Sequence, residues 1–236
     1  TSDVVLAGGI SDVVAKFADA NGTATASLTA MTTQDPDVAI TVTDVANVAQ
    51  ATTIANATTG AVVFAGGITD DLANLASGGS VTVGTTTIVT HDPDVLITIN
   101  GTLGNADVAN VNAITASTTG KVEASITGNQ AQLVSLTSPN TTDDLTIIVS
   151  DVVTVEQGNT IAKATINATV DFSATGVNDE FANMLNGNAV HASLTQIVTK
   201  DADVKIVVSD TIANASADNI TQINAIGDTT TGIVQA

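Results

Sequence analysis

Along this chain, short runs of alternating apolar and polar residues give way to stretches in which apolar residues return every third or fourth position. Alternation predicts strands with one buried face, and the longer period predicts helices. The clearest alternating run is Val38-Ala39-Ile40-Thr41-Val42-Thr43, which follows the acidic turn Asp35-Pro36-Asp37 and ends at Asp44. The phrase returns as Asp92-Pro93-Asp94 running into Val95–Asn100, as Asp143-Asp144 running into Leu145–Asp151, and as Asp201-Ala202-Asp203 running into Val204–Asp210. From Val38 to Val95 is 57 residues, to Leu145 another 50, and to Val204 another 59. A period of that size predicts a stacked repeat array rather than a globular enzyme with one site.

A helical stretch closed by glycine is the second landmark. Val45–Gln50 leads through Ile54 to Thr58-Thr59-Gly60, Asp107–Val111 through Ile114 to Thr118-Thr119-Gly120, and Asp210–Asn214 through Ile220, Ile223 and Ile226 to Thr230-Thr231-Gly232. An aspartate is expected to cap each helix start, and the glycine to supply a left-handed residue at its end. The third copy has no such glycine, since Asn167-Ala168-Thr169 runs straight into Val170. A strand is expected after each glycine, at Ala61–Ala65, Lys121–Ala124 and Ile233–Ala236, and again at Val4–Ala7.

Further short helical signals are read at Ile10–Phe17, Ile68–Leu75, Ile126–Leu133 and Val177–Met184, each followed by a Thr-rich strand such as Val81–Thr90 or Ala192–Thr199. The resulting expectation is an α/β repeat, a β-dominant solenoid of four β-α-β-β-α units of about 55 residues, with a β-helix or a β-rich sandwich array as the alternative. The units are placed at 1–60, 61–120, a shortened 121–169, and 170–232, with 233–236 as the first strand of a next unit. Two readings of that register stay open: a terminal strand that pairs beside another molecule, or a segment cut from a longer array. A start at Thr1, without Met or a signal pattern, points to a processed or excised segment.

Composition narrows the function classes. Hydrophobic residues make up 44% and mean hydropathy is +0.35, which argues against disorder. With no Trp or Tyr and four Phe, the core must be built from many small aliphatic layers. Twenty-four acidic residues against five Lys and no Arg give a net charge of −19, which repels nucleic-acid backbones and anionic membranes. The lack of cysteine removes disulfides and thiolate metal sites. No apolar run is long enough to span a bilayer.

The acidic turns are the candidate chemistry. Asp35, Asp37, Asp44, Asp92, Asp94, Asp143, Asp144, Asp151, Asp201, Asp203 and Asp210 place carboxylates close together beside backbone carbonyls, an arrangement suited to Ca²⁺. Neither an EF-hand spacing nor the Gly-rich calcium nonapeptide is present. The competing reading is structural: aspartate forms turns and accepts local backbone N–H groups. Asp12, Asp70, Asp71, Asp179 and Glu180 read as helix caps. His91 beside Asp92-Pro93-Asp94 reads either as a transition-metal ligand or as a solvated histidine. Gly8-Gly9 and Gly66-Gly67 lack the rest of a dinucleotide fingerprint and are read as points of close layer stacking. Asn-x-Thr/Ser triplets at Asn21, Asn56, Asn100, Asn140, Asn167, Asn214 and Asn219 would accept glycans if the source glycosylates asparagine. No serine-hydrolase, phosphate-loop or zinc-protease motif occurs, so the chain is not expected to be an enzyme; a carbohydrate-active solenoid with paired carboxylates is the one enzymatic alternative.

The phrases Ile68-Thr69-Asp70-Asp71-Leu72-Ala73-Asn74-Leu75 and Val208-Ser209-Asp210-Thr211-Ile212-Ala213-Asn214 resemble the repeats of very large secreted surface proteins of cyanobacteria and proteobacteria, the calcium-dependent, type I-exported kind. That resemblance implies export, calcium-dependent folding, a structural or adhesive role and no catalysis, and the open-ended register adds as expected partners other copies of the chain, through terminal-strand and end-repeat contacts, or a surface polysaccharide. The expected function is thus an extracellular structural protein that assembles head-to-tail into a filament, layer or matrix, with the stalk of a large adhesin as the alternative.

Overall fold

A computed structural model describes residues 5–164, 167–172, 174–211 and 216–236. Val4 of the expected first strand and Ile212–Asn214 of the last helical phrase lie outside them. The chain divides into two compact units, Thr1–Gly101 with Ala109–Ala124, and Thr102–Val108 with Ser125–Ala236.

The first unit begins with β1 (Ile10–Asp12), a 3₁₀ turn at Val14–Lys16, α1 (Ala26–Gln34), β2 (Ile40–Val42), α2 (Val48–Ala57) and β3 (Val62–Phe64). Strands β1, β2 and β3 form a parallel sheet in which Ile10, Ile40 and Val62 stand in register. β4 (Ile68–Asp71) then runs into one helical turn, α3 (Leu72–Leu75), and the hairpin β5 (Ala76–Ser77) and β6 (Ser80–Val81). After α4 (Val83–His91), β7 (Ile97–Leu103) pairs in parallel with β4, Ile68 opposite Ile97. α5 (Val108–Ser117) and β8 (Val122–Gly128) follow.

The second unit reuses the same parts: α6 (Gln130–Leu133), β9 (Asp144–Val149), α7 (Val155–Ala164), β10 (Thr169–Asp171), β11 (Val177–Asp179), α8 (Phe181–Met184), the hairpin β12 (Leu185–Asn186) and β13 (Ala189–Val190), α9 (Ala192–Lys200), β14 (Ile206–Val208), α10 (Ala217–Gly227) and β15 (Val234–Gln235). β9 pairs in parallel with β10, and β11, β14 and β15 form a second parallel sheet with Ile206 opposite both Val177 and Val234.

The expected solenoid is not formed. The described strands fall into several small sheets, parallel and antiparallel, set among ten α-helices, so the fold is mixed α/β and neither β-dominant nor a β-helix or sandwich array. The main departure lies in the Thr-rich segments, which are helices α4 and α9 rather than strands. Threonine favours strands on average, but here its hydroxyls bond back to the preceding turn. Thr86 donates to the Thr82 carbonyl at 3.0 Å, Thr87 to Val83 at 3.0 Å and Thr90 to Thr86 at 2.7 Å, while Thr82 Oγ1 caps the helix start by accepting the Thr85 N–H. These bonds keep one face polar, and Ile88 is buried on the other. The short helical signals are also corrected: Ile68–Asp71 and Val177–Asp179 are strands, and only the turn after each is helical.

Helix α2 matches the sequence pattern, and α7, which is not expected from the sequence, repeats its burial. Val48, Ala51, Ile54 and Ala55 are buried on α2, and Val155, Gly158, Ile161 and Ala162 at the same positions on α7. Each packs on the next long helix of its unit, α2 on α4 and α7 on α9. The cap of α2, however, is Asn47 in a capping box with Gln50, and not the expected aspartate.

Candidate functional site

The acidic turns follow the C-terminal ends of α1, α4 and α9, where Asp35, Asp92 and Asp201 are buried to 5%, 6% and 7% exposure. Each accepts a backbone N–H from an earlier segment: Asp35 from Leu6 at 2.6 Å, Asp92 from Phe64 at 2.7 Å, Asp201 from Phe172 at 2.6 Å. These donors lie 28 or 29 residues earlier in the chain, so each carboxylate ties two successive segments together. Asp37, Asp94 and Asp203, two residues on, are exposed.

The Thr-Thr-Gly phrases lock onto these turns. Thr58 Oγ1 donates to the carbonyls of Pro36 and Val38, Thr118 to Pro93 and Val95, and Thr230 to Ala202 and Val204. The next residue's N–H donates to the same middle carbonyl, as Thr59 does to Pro36 at 2.9 Å. The glycine that follows is not a left-handed cap. A Cβ on Gly60, Gly120 or Gly232 would stand 2.2 Å from the carbonyl oxygen of Asp37, Asp94 or Asp203, so glycine is required by the close approach of the turn. Left-handed glycines stand elsewhere, among them Gly9, Gly67 and Gly176 at the bends before β1, β4 and β11.

A second set of aspartates stands near strand ends and caps helices from outside. Asp44 accepts the N–H of Val14, Asp70 that of Val48, Asp151 that of Gln130, Asp179 that of Val155 and Asp210 that of Phe181. Every donor is the first residue of a helix or 3₁₀ turn, whose N–H has no partner within its own helix. Asp70 and Asp179 use the second oxygen too, accepting the following N–H and the amide of Asn74 or Asn183. Of the acids read as helix caps, Asp70 and Asp179 cap a neighbouring segment's helix, whereas Asp71 and Glu180 make no side-chain cap bond and Asp12 accepts only the Val13 N–H. Asp143 is 2% exposed and accepts the Ser138 hydroxyl at 2.6 Å, and Asp144 is exposed at the start of β9.

The calcium expectation can be tested against this donor set. Ca²⁺ takes six to eight oxygens. Among the described residues no three His, Asp or Glu side chains gather as metal ligands, and Asp35, Asp44, Asp92, Asp151, Asp201 and Asp210 each have an oxygen engaged by an N–H. In this arrangement these oxygens serve as acceptors for backbone N–H groups. The histidines are engaged as well: His91 Nδ1 meets the Thr87 carbonyl at 3.0 Å, and His191 Nδ1 accepts the Ser193 N–H at the start of α9.

Burial separates the three turns electrostatically. The Leu6 N–H holds the Asp35 carboxyl below its ordinary value. Burial outweighs the equivalent bond at Asp92 and raises it. At Asp201 burial, with Asp203 and Asp171 adding to it, pushes the carboxyl up to about 6.

Each unit also holds a polar cavity beside its long helix. One of about 370 Å³ is lined by Glu156, Asn159, Asp179, Asn183, His191 and Ser193, and its counterpart of about 290 Å³ by Asn47, Asp70 and Asn74. Asp179 and Asp70 are occupied there as helix caps. No helix among the described residues is long and apolar enough to cross a membrane. No protein-family model, curated protein or solved structure matches the chain at a significant level.

Proposed function

We propose that this chain is a structural repeat protein without catalytic activity, which associates with copies of itself at the cell surface. The observation that carries the reading is the use made of its aspartates: those most prominent in the sequence accept backbone N–H groups between successive segments, which serves cohesion rather than chemistry. The edge strands β1 and β15 supply a means of association, because each lies at the rim of a parallel sheet and carries backbone groups suited to strand addition. The resemblance of the strand–Asp–helix phrases to exported surface proteins supports the location.

Sedimentation velocity and negative-stain imaging over a range of concentrations test this. Concentration-dependent oligomers that weaken on Gln235→Pro, which places a ring on the β15 edge, are the expected result. A monomer at every concentration, with and without calcium, overturns self-association and leaves the chain as a spacer segment.

A further inference from the structure

Asparagine followed by glycine is open to a spontaneous backbone reaction, because glycine carries no Cβ to shield its amide nitrogen from the asparagine side chain. The chain holds three such pairs, Asn21-Gly22, Asn100-Gly101 and Asn186-Gly187. All three asparagines are exposed, so accessibility does not separate them; the freedom of the backbone does. Gly22 is held on both sides: its N–H donates to the Asp19 carbonyl at 2.9 Å, its carbonyl accepts the Thr53 hydroxyl, and a Cβ on it would stand 2.7 Å from the Ala49 carbonyl oxygen. Asn100 is fixed opposite Asp71 in the parallel ladder of β4 and β7. Asn186-Gly187 instead opens the hairpin turn between β12 and β13, each only two residues long. Gly187 takes φ +65°, a Cβ on it would meet nothing within 4 Å, and its N–H donates to no acceptor among the described residues. We infer that Asn186 is a site of self-modification by deamidation, converted to aspartate and isoaspartate in the folded chain while Asn21 and Asn100 persist.

The reaction needs only water. The Gly187 backbone nitrogen loses its proton to hydroxide and attacks Cγ of the Asn186 amide. The N–Cγ bond forms, the Cγ–Nδ2 bond breaks, and the amide nitrogen leaves as ammonia after taking a proton from water. Water then opens the five-membered imide at either carbonyl. Breaking the new N–Cγ bond gives aspartate; breaking the original peptide bond gives isoaspartate, whose backbone runs through Cγ and is one methylene longer. No oxidant or reductant takes part. To reach Cγ the nitrogen needs Asn186 to turn away from its strand geometry, and a ladder of two pairs, Leu185 with Val190 and Asn186 with Ala189, opens readily. Either product adds a carboxylate to a chain already at −19, and isoaspartate takes Asn186 out of register with Ala189. β13 packs against α10 and leads directly into His191, whose Nδ1 caps α9, so the change falls at the start of that helix. The hairpin of the first unit has Ser77-Gly78 at the equivalent positions and has no side-chain amide to react. The inference does not depend on the chain being a structural protein.

Incubation of the whole chain at mildly alkaline pH, followed by peptide mass spectrometry and isoaspartyl-methyltransferase labelling, tests this. Conversion at Asn186 should run roughly tenfold or more faster than at Asn21 and Asn100, and should slow in mild acid, where the glycine nitrogen keeps its proton. In urea the three rates should converge, because the same dipeptide then has the same freedom at each position. Asn186→Ser, which copies the hairpin of the first unit, should abolish the acidic variant seen on isoelectric focusing. In the converted chain amide exchange at Ala189 should quicken several-fold, and unchanged exchange there overturns the loss of register. Conversion at Asn21 or Asn100 that equals or exceeds that at Asn186 in the folded chain overturns the inference. So does an Asn186 that stays intact in the folded chain while the urea-unfolded chain converts.

Discussion

The backbone N–H of Phe172 donates to the carboxylate of Asp201 at 2.6 Å, across 29 residues of chain. Phe172 is fully buried and Asp201 nearly so; the bond therefore lies in a setting where an unmet N–H would be costly. The same relation links Phe64 to Asp92 and Leu6 to Asp35. Replacing Asp201 by Ala should destabilise the second unit by about 1–3 kcal/mol, whereas Asp203→Ala, at the exposed partner, should relieve repulsion and leave stability equal or higher. Thermal melts of the two variants at neutral pH make the comparison.

Stability should depend on pH in two opposite senses. The folded state raises Asp201 to about 6, so it binds that proton more tightly than the unfolded chain does. Its contribution is full below the ordinary carboxylate value and is lost as the pH climbs through about 6. Asp19 and Asp35 are lowered, so their contribution is full above the ordinary value and is lost as the pH falls through their folded values. The melting temperature should thus be higher near pH 5 than near pH 7.5 and fall again in stronger acid, as calorimetry across that range would show.

The Thr-Thr-Gly locks should be sensitive at both residues. Thr118→Val keeps the shape but leaves the Pro93 and Val95 carbonyls without its hydroxyl, at a cost of about 1–2 kcal/mol. Gly120→Ala puts a Cβ against the Asp94 carbonyl at 2.2 Å and should cost more than about 2 kcal/mol. Gly8→Ala, where an added Cβ meets nothing within 4 Å, is the matched control and should be near neutral. Denaturant melts rank the three.

The external helix caps lead to a prediction about neighbouring segments. Asp70→Ala removes the acceptor of the Val48 N–H together with those of Asp71 and Asn74. About 1–2 kcal/mol should be lost, with faster amide exchange in the first turn of α2, a helix in which Asp70 does not itself reside. Exchange confined to α3 would refute the assignment.

Chelation should leave the fold unchanged. Because the aspartates already accept N–H groups and, among the described residues, do not gather into a cage, EDTA in low-salt buffer should not move the melting temperature, whereas monovalent salt should raise it by screening the charge of −19. A calcium-specific rise beyond that of matched ionic strength would refute this.

Much of the local pattern is legible along the chain. The strands after the acidic turns and after Gly60, Gly120 and Gly232 stand where alternation places them, and α2 follows its apolar period. The Thr-rich segments mislead because propensity averages over threonines that lack a carbonyl partner, while in α4 every such hydroxyl from Thr86 to Thr90 finds one four residues back. The acidic turns are ambiguous in another way. Clustered aspartates read equally as calcium ligands or as turn acceptors until their partners are known, and the partners lie about thirty residues away.

Local periodicity, the return of the acidic turn and the lopsided charge are therefore properties of the chain itself, since each depends on residues within a few positions of one another. Tertiary structure alone decides which aspartate meets which N–H, why Gly120 cannot carry a side chain, and why the Asp201 carboxyl is pushed up while that of Asp35 is held down. Those outcomes turn on desolvation and on contacts between distant segments, which sequence spacing does not encode.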